Sequence, residues 1–196
     1  MVTVSKVINT IFPYIKNQKS TSNISPKLSK KQGKVLHKNI DEYLKYNKIP
    51  KKKNIYFNLF LKYLEDSKLI FYESEKIIKN GFYYGICDAI FKDENDQYVL
   101  VDWKKCCIDE ISNSDNEIFQ EINSSFNRYS LQLHIYKHVL KKYNIEINKM
   151  IIVNFQEDNY QEYLIEENIK WMEIISDNDK MTELMKKSKK FFRKKK

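Results

Sequence analysis

Two carboxylates and an amine occupy neighbouring segments of one predicted β-hairpin. Along 97–104 (QYVLVDWK) side chains alternate between faces, so Asp102 and Lys104 point the same way and Trp103 points the opposite way. Asp88, near the end of the preceding strand, can reach the same point across the hairpin. Two carboxylates together with a backbone carbonyl, that of Trp103, are hard ligands that suit Mg²⁺ or Mn²⁺ and not zinc. The pattern predicts a divalent-metal site in which Lys104 positions or deprotonates a metal-bound water. An ordinary ion pair at a strand end would give the same spacing.

A histidine and a glycine lie close to these residues in the predicted elements. His37 shares a helical face with the apolar Leu44, where a histidine is more often packed than ligating. It is nevertheless a candidate third ligand, because Asp41 lies one turn later and can orient its ring. Gly85 comes three residues before Asp88, and its missing side chain would let a phosphate backbone approach.

A glutamine and a tyrosine form the remaining part of the predicted site. Gln132 and Tyr136 are four residues apart, so they lie on one face of a helix, within its apolar stripe. A buried amide that is left unpaired costs about 1–3 kcal/mol, so Gln132 needs a partner. That partner is either the backbone or a group of the site, such as Lys104 or the substrate.

The elements that position these residues follow from hydrophobic periodicity. Helices are predicted at 2–16, 33–46, 55–66, 128–143 and from about 166, and strands at 69–78, 82–91, 97–104, 149–155 and 160–165. The second and third strands flank the polar turn KDEND and form an antiparallel hairpin, and the third is apolar on both faces, as in a sheet covered on both sides. This order predicts an α/β fold with a central mixed sheet of four or five strands flanked by helices.

The chain of 196 residues is predicted to form one domain. Three segments stand apart by their polar or basic composition: an arm at about 17–31, a mobile loop at about 108–125, and a basic helix and tail at about 166–196.

The net charge of +9 suits a polyanionic partner, with a solvated lysine-rich surface as the alternative. Three cysteines without a CxxC motif indicate a reducing, intracellular compartment, and no apolar run reaches the ~18 residues of a membrane span.

Four short motifs in a fixed order resemble the RecB-like branch of the PD-(D/E)XK nucleases, in particular the family of the mitochondrial genome maintenance exonuclease with its viral and phage relatives. The sequence has G-x-x-x-H in GKVLHKNIDEYL, G-x-x-D in YGICDAI, D-W-K in VLVDWKK and Q-x-x-x-Y in LQLHIY. Its opening, VTVSKVINTIFP, is also similar to the first helix of that family. The motif proline is replaced by Cys87, and the small residues after D-W-K by Lys105 and Cys106.

The resemblance implies a restriction-endonuclease-like core and a role for each motif residue. The metal would be bound by His37, Asp88, Asp102 and the Trp103 carbonyl, and Lys104 would be catalytic together with both acids. An acid on the strand before G-x-x-D often joins such sites, and Glu75 is the first candidate with Glu73 as the second. Supporting and substrate-binding roles fall to Gln132, Tyr136, Glu75, Gly85 and Lys105.

The function implied is that of a monomeric, Mg²⁺- or Mn²⁺-dependent deoxyribonuclease, an exonuclease on single-stranded DNA or DNA ends in replication, repair or genome processing. RNA stays open as a substrate. The alternatives are a non-catalytic nucleic-acid-binding protein on the same fold, and a basic interaction protein whose lysines are only a solvated surface. A cytoplasmic or nuclear location is expected over a mitochondrial one, because the chain starts directly at the family core.

Overall fold

A computed structural model describes residues 1–13, 26–52, 54–105, 108, 115–116, 121–122 and 124–194. Most of the expected mobile loop and part of the polar arm lie outside these residues. The helices are α1 (Val4–Ile11), α2 (Pro26–Tyr46), α3 (Ile55–Ser67), α4 (Ser125–Leu140), α5 (Ile169–Ser176) and α6 (Asn178–Lys194). The strands are β1 (Val2–Thr3), β2 (Ile70–Lys79), β3 (Tyr83–Lys92), β4 (Tyr98–Lys104), β5 (Asp115–Asn116), β6 (Glu121–Ile122), β7 (Ile147–Phe155) and β8 (Tyr160–Ile165).

The central sheet is mixed and has the order β1-β3-β4-β7-β8, with β2 paired to β3. The β3–β4 pair is antiparallel, as the KDEND turn predicts, whereas β4 and β7 are parallel because α4 forms the crossover between them. The five long strands confirm the predicted α/β fold, and the two-residue β1 adds a short sixth.

Helices cover both faces of the sheet, which explains why β4 is apolar on both sides. Leu100 belongs to the core formed with α1, α4, α5 and α6. Val99, Val101 and Trp103 belong to the core formed with α2 and α3. The alternation of side chains along β4 therefore delivers Asp102 and Lys104 to the α4 side, opposite Trp103.

Three predicted assignments were wrong. The helix predicted at 2–16 is α1, which spans only Val4–Ile11 and follows the strand β1 at Val2–Thr3. Helix α2 begins at Pro26, so residues 26–31 are helical and do not belong to a polar arm; proline is favoured in the first helical turn, and lysines propagate a helix well. The C-terminal segment is two helices and not one, because Asp177 is extended and its carboxylate accepts the amide hydrogens of Asp179 and Lys180, each at 3.0 Å. Over the part of the chain that the structure describes, no helix combines the length and the hydropathy of a membrane span.

Candidate metal centre

Helix α2 crosses the end of β4 and places His37 against its backbone. The Nε2 atom of His37 lies 3.1 Å from the Trp103 carbonyl oxygen, to which it donates, so Nδ1 faces Asp88 at 3.4 Å and Glu75 at 3.9 Å. Burial lowers the pKa of His37, but the Asp88 carboxylate outweighs that effect and the pKa is raised to about 9. The Trp103 carbonyl, predicted as a metal ligand, thus accepts a hydrogen bond from a histidine in this structure.

Asp88 is fixed by both of its oxygens at the end of the hairpin. Its Oδ2 accepts the backbone N–H of Trp103 at 2.9 Å, and its Oδ1 faces His37. Burial would raise the pKa of Asp88, yet the charge and hydrogen bond of His37 hold it below its ordinary value. Asp88 is therefore an ionised carboxylate with one oxygen aimed at the histidine.

Asp102 lies deeper and is engaged by its neighbours. It is 1% exposed, forms an ion pair with Lys104, and accepts a 2.9 Å hydrogen bond from Nε2 of Gln132. Burial raises its pKa, partly offset by the charge of Lys104. The partner of the half-buried Gln132 amide is thus Asp102, and the same Nε2 lies 3.3 Å from the Tyr136 hydroxyl.

Lys104 is held from two sides. One contact is its ion pair with Asp102, and the other is the ring of Tyr129, whose centroid is 4.6 Å from Nζ. Its charge lowers the pKa of both His37 and Asp88, so it acts on the histidine and the acid across the site. Tyr129 was not singled out from the sequence, although it precedes Gln132 by three residues and so shares its helix face.

Gly85 makes room for a protein side chain and not for a phosphate. A Cβ atom at this position would lie 2.7 Å from Cε1 of Tyr136 and 3.1 Å from Cγ2 of Val4. The predicted approach of a nucleic-acid backbone at Gly85 was therefore wrong, because the ring of Tyr136 fills that space. The glycine instead allows α4 to bring Tyr136, and with it Gln132, close to the hairpin.

Glu75, and not Glu73, belongs to this site. Glu75 has a left-handed backbone with φ of 48° in the middle of β2, opposite the Asp88 region of β3. Glu73 is paired with Lys76 at 2.7 Å instead. Asp41, which was expected to orient the His37 ring, pairs elsewhere: it accepts a 2.6 Å hydrogen bond from Ser74 and binds Lys45 at 2.7 Å. The ring is oriented by the Trp103 carbonyl and the two carboxylates.

Among the described residues, three side chains from three elements can hold a metal ion. One ligand atom each of His37, Glu75 and Asp88 lies within 4.8 Å of the other two. One imidazole nitrogen and two carboxylate oxygens are donors that a divalent cation such as Mn²⁺ or Mg²⁺ accepts. Asp102 is not part of this group, and its two oxygens contact Lys104 and Gln132 instead. The residues present therefore fit a divalent ion, with Glu75 rather than Asp102 completing the set.

The metal centre lies at the side of an open cleft of about 620 Å³ between α2 and the sheet. Its α2 wall carries Lys30, Lys34 and Lys38, which we call the lysine row. The four-residue spacing places them on one helix face, about 6 Å apart along the axis. Lys105, predicted to meet the substrate, does not line this cleft: it donates to Gln32 at 2.9 Å and covers the Tyr56 ring, with Nζ 4.4 Å from the centroid.

No family model and no curated protein sequence matches the chain. Among solved structures it is similar to the alkaline exonuclease LHK-Exo from Laribacter hongkongensis, with 12% identity, a TM-score of 0.46, and coverage of 98% of this chain and 92% of that one. A second structure of LHK-Exo, in complex with dAMP, gives 12% identity, a TM-score of 0.45 and the same coverage.

A phage-related exonuclease from Haemophilus somnus is also similar, with 10% identity, a TM-score of 0.39, and coverage of 97% of this chain and 95% of that one. Likenesses this weak do not identify an activity, and the mitochondrial branch of the family stays a prediction. The function therefore has to come from the chemistry of the site.

Proposed function

We propose that this chain is a metal-dependent nuclease that hydrolyses phosphodiester bonds of DNA. The observation that supports this most directly is the convergence of His37, Glu75 and Asp88 beside a cleft whose α2 wall carries the lysine row. An anionic centre alone would repel a polyanion, whereas a cation held there together with the lysines makes the cleft attractive to one. The finer proposal is an exonuclease that acts on single-stranded DNA or DNA ends.

His37, Glu75 and Asp88 would hold a Mg²⁺ or Mn²⁺ ion. When bound, such an ion makes water more acidic and compensates the negative charge that a phosphodiester gains in its transition state. His37 is presented as a ligand by its hydrogen bond to the Trp103 carbonyl, which leaves Nδ1 directed at the two acids. Asp88 is positioned by the amide of Trp103, so the end of β4 orients two of the three ligands.

Lys104 is proposed as the group that moves or holds a proton near the reacting phosphate. Asp102 keeps the Lys104 ammonium in place, and Tyr129 limits where the side chain can turn. Gln132 donates a hydrogen bond to the other oxygen of Asp102, and the Tyr136 hydroxyl in turn contacts Gln132. Asp102 is thus a positioning residue for Lys104, a different role from that of the metal ligand predicted from the sequence.

The direct test is incubation of the protein with end-labelled single-stranded and duplex DNA in Mg²⁺, in Mn²⁺ and in EDTA. We expect cleavage in either metal and none in EDTA. Glu75→Gln should lower the rate by at least about a hundredfold, while the matched control Glu73→Gln on the same strand should leave it near the wild-type value.

Three outcomes would contradict the proposal: cleavage in EDTA, wild-type rates for Glu75→Gln or Asp88→Asn, or no cleavage with any metal. In the last case, binding of DNA without cleavage would favour the non-catalytic nucleic-acid-binding protein. A role in replication, repair or genome processing is proposed on the sequence resemblance alone, as is action as a monomer.

A further inference from the structure

The cleft continues past the metal centre as an exposed apolar surface on β2 and β3. Ile86 lines the cleft and is 40% exposed, and Ile77 beside it is 58% exposed. The two residues are register partners in the antiparallel pair, so their side chains leave the same face of the sheet next to each other. We call this pair the isoleucine floor.

The isoleucine floor does not belong to either core of the fold. The neighbours of Ile86, Gly85 and Cys87, face the α1 and α4 side, where Tyr136 and Val4 pack over Gly85 and Cys87 is fully buried. Ile86 therefore faces the α2 side of the sheet, where it lines the cleft and stays partly open. Isolated exposed apolar residues are common, but Ile77 adjoins Ile86, which lines the cleft, so the two form one contact surface at its side.

We propose that the isoleucine floor contacts the faces of unpaired bases in a nucleic-acid strand whose phosphates bind the lysine row. This inference rests on the proposed nuclease function. The cleft carries the lysine row on its α2 side and, on its sheet side, the exposed Ile86 next to the acids of the metal centre. This arrangement suits a strand with phosphates on one side and exposed bases on the other.

Base pairing decides whether the isoleucine floor can be used. In a duplex the base faces are stacked on one another and the base edges are paired, so no apolar face is available to Ile77 or Ile86. In a single strand, or at a frayed end, the faces are free to pack on an apolar surface. The floor thus gives the cleft a preference for unpaired nucleic acid that the lysine row alone, which binds only phosphate, cannot give.

The test is fluorescence anisotropy in Ca²⁺, a hard cation that carboxylate oxygens bind in place of Mg²⁺, with three labelled probes: a single strand of about 15 nucleotides, the same strand with abasic sites at alternate positions, and the matching duplex. The variant is Ile77→Thr/Ile86→Thr, which keeps the β-branched shape that strands favour. The matched control is Ile70→Thr, because Ile70 is 63% exposed at the other end of β2. Lys34→Ala serves as the phosphate control.

We expect the double variant to bind the intact single strand about five- to tenfold more weakly, with a smaller loss for the abasic strand and none for the duplex. Ile70→Thr should match the wild type, and Lys34→Ala should weaken binding to all three probes. If the double variant fails to fold in a thermal melt, Ile77→Thr alone is tested in the same way, because Ile77 is the more exposed of the two.

An unchanged affinity for the single strand, or an equal loss for all three probes, would overturn the role of the isoleucine floor while leaving the nuclease proposal intact. If the wild-type protein bound none of the probes, the proposed function itself would fail and the floor with it. The two failures are therefore distinguishable in one experiment.

Discussion

Gly85→Ala is the substitution whose effect the structure defines most sharply. The added methyl group would lie 2.7 Å from the Tyr136 ring and 3.1 Å from Val4, well inside the ~3.5–4.0 Å of a favourable carbon contact. Both neighbours are buried, and the Tyr136 hydroxyl contacts the Gln132 amide, so the ring is not free to swing aside. The ring or the strand must therefore shift by roughly 1 Å.

The magnitude follows from two opposing effects. Overpacking of a buried contact costs about 1–3 kcal/mol, whereas replacing glycine by alanine within a strand returns about 0.5–1 kcal/mol of backbone entropy. The net change in the free energy of unfolding is therefore a loss of between about 0 and 2.5 kcal/mol. For a chain of this length the melting temperature should drop by up to about 10 °C.

The assay is urea unfolding followed by circular dichroism, with two comparison variants. Gly33→Ala in α2 is the matched control, because nothing lies within 4 Å of a Cβ atom there, so it should stabilise the helix by about 1 kcal/mol. Gly85→Ala should cost less in a Tyr136→Leu background, where the clashing ring is absent. A Gly85→Ala protein more stable than the wild type, or an equal penalty in both backgrounds, would refute this account of the packing.

Three further predictions concern the site and the stability of the fold. Lys104→Ala should lower the cleavage rate by about a hundredfold or more while DNA affinity is retained, and Lys104→Arg should not restore it, because a guanidinium neither releases its proton nor fits the same space; full activity of the alanine variant would disprove the role. Glutamine at all three positions of the lysine row should weaken DNA binding and reduce the slope of log affinity against log salt concentration by about 2 units. The slope is measured by titration at several salt concentrations, and an unchanged slope would mean that the row makes no phosphate contacts. Burial lowers the pKa of His134, and its neutral ring donates to the Ser130 carbonyl and accepts from the Asn168 amide. The neutral ring therefore stabilises the fold above the ordinary histidine pKa, and this stability is lost as the pH falls below that value. The stability gap between wild type and His134→Gln, measured in urea, should therefore be smaller at about pH 5.5 than at about pH 7.5, and a gap independent of pH would contradict that linkage.

The sequence was sufficient for the parts of the fold that local pattern determines. The alternation in β4 and the polar turn before it predicted the hairpin and its two covered faces, because both signals lie within one short segment. The start of α2 and the break at Asp177 were missed. Both are ends of helices, where a proline or a capping carboxylate determines the first or last helical residue. No apolar stripe marks such a boundary in the sequence.

The sequence predicted which residues belong to the site better than it predicted the contacts that these residues make. His37 and Asp88 do approach each other, as expected from the hairpin and the preceding helix. The reason given for Gly85 was wrong, because the ring that fills its space comes from α4, far along the chain. The choice of Glu75 over Glu73 depends on a left-handed backbone at a residue that is not glycine, and nothing in the residue type signals that conformation.

At position 75 the backbone conformation favours one residue type and the metal centre requires another. A left-handed conformation costs a residue with a side chain about 1–2 kcal/mol, and glycine or asparagine would relieve most of that. Neither carries a carboxylate, so neither can replace Glu75 beside His37 and Asp88. A laboratory selection for thermal stability alone should therefore enrich glycine or asparagine at position 75. The selected proteins should be more thermostable but lack one acid of the metal centre. Selection under a requirement for DNA cleavage should keep the glutamate and find its stabilising changes elsewhere.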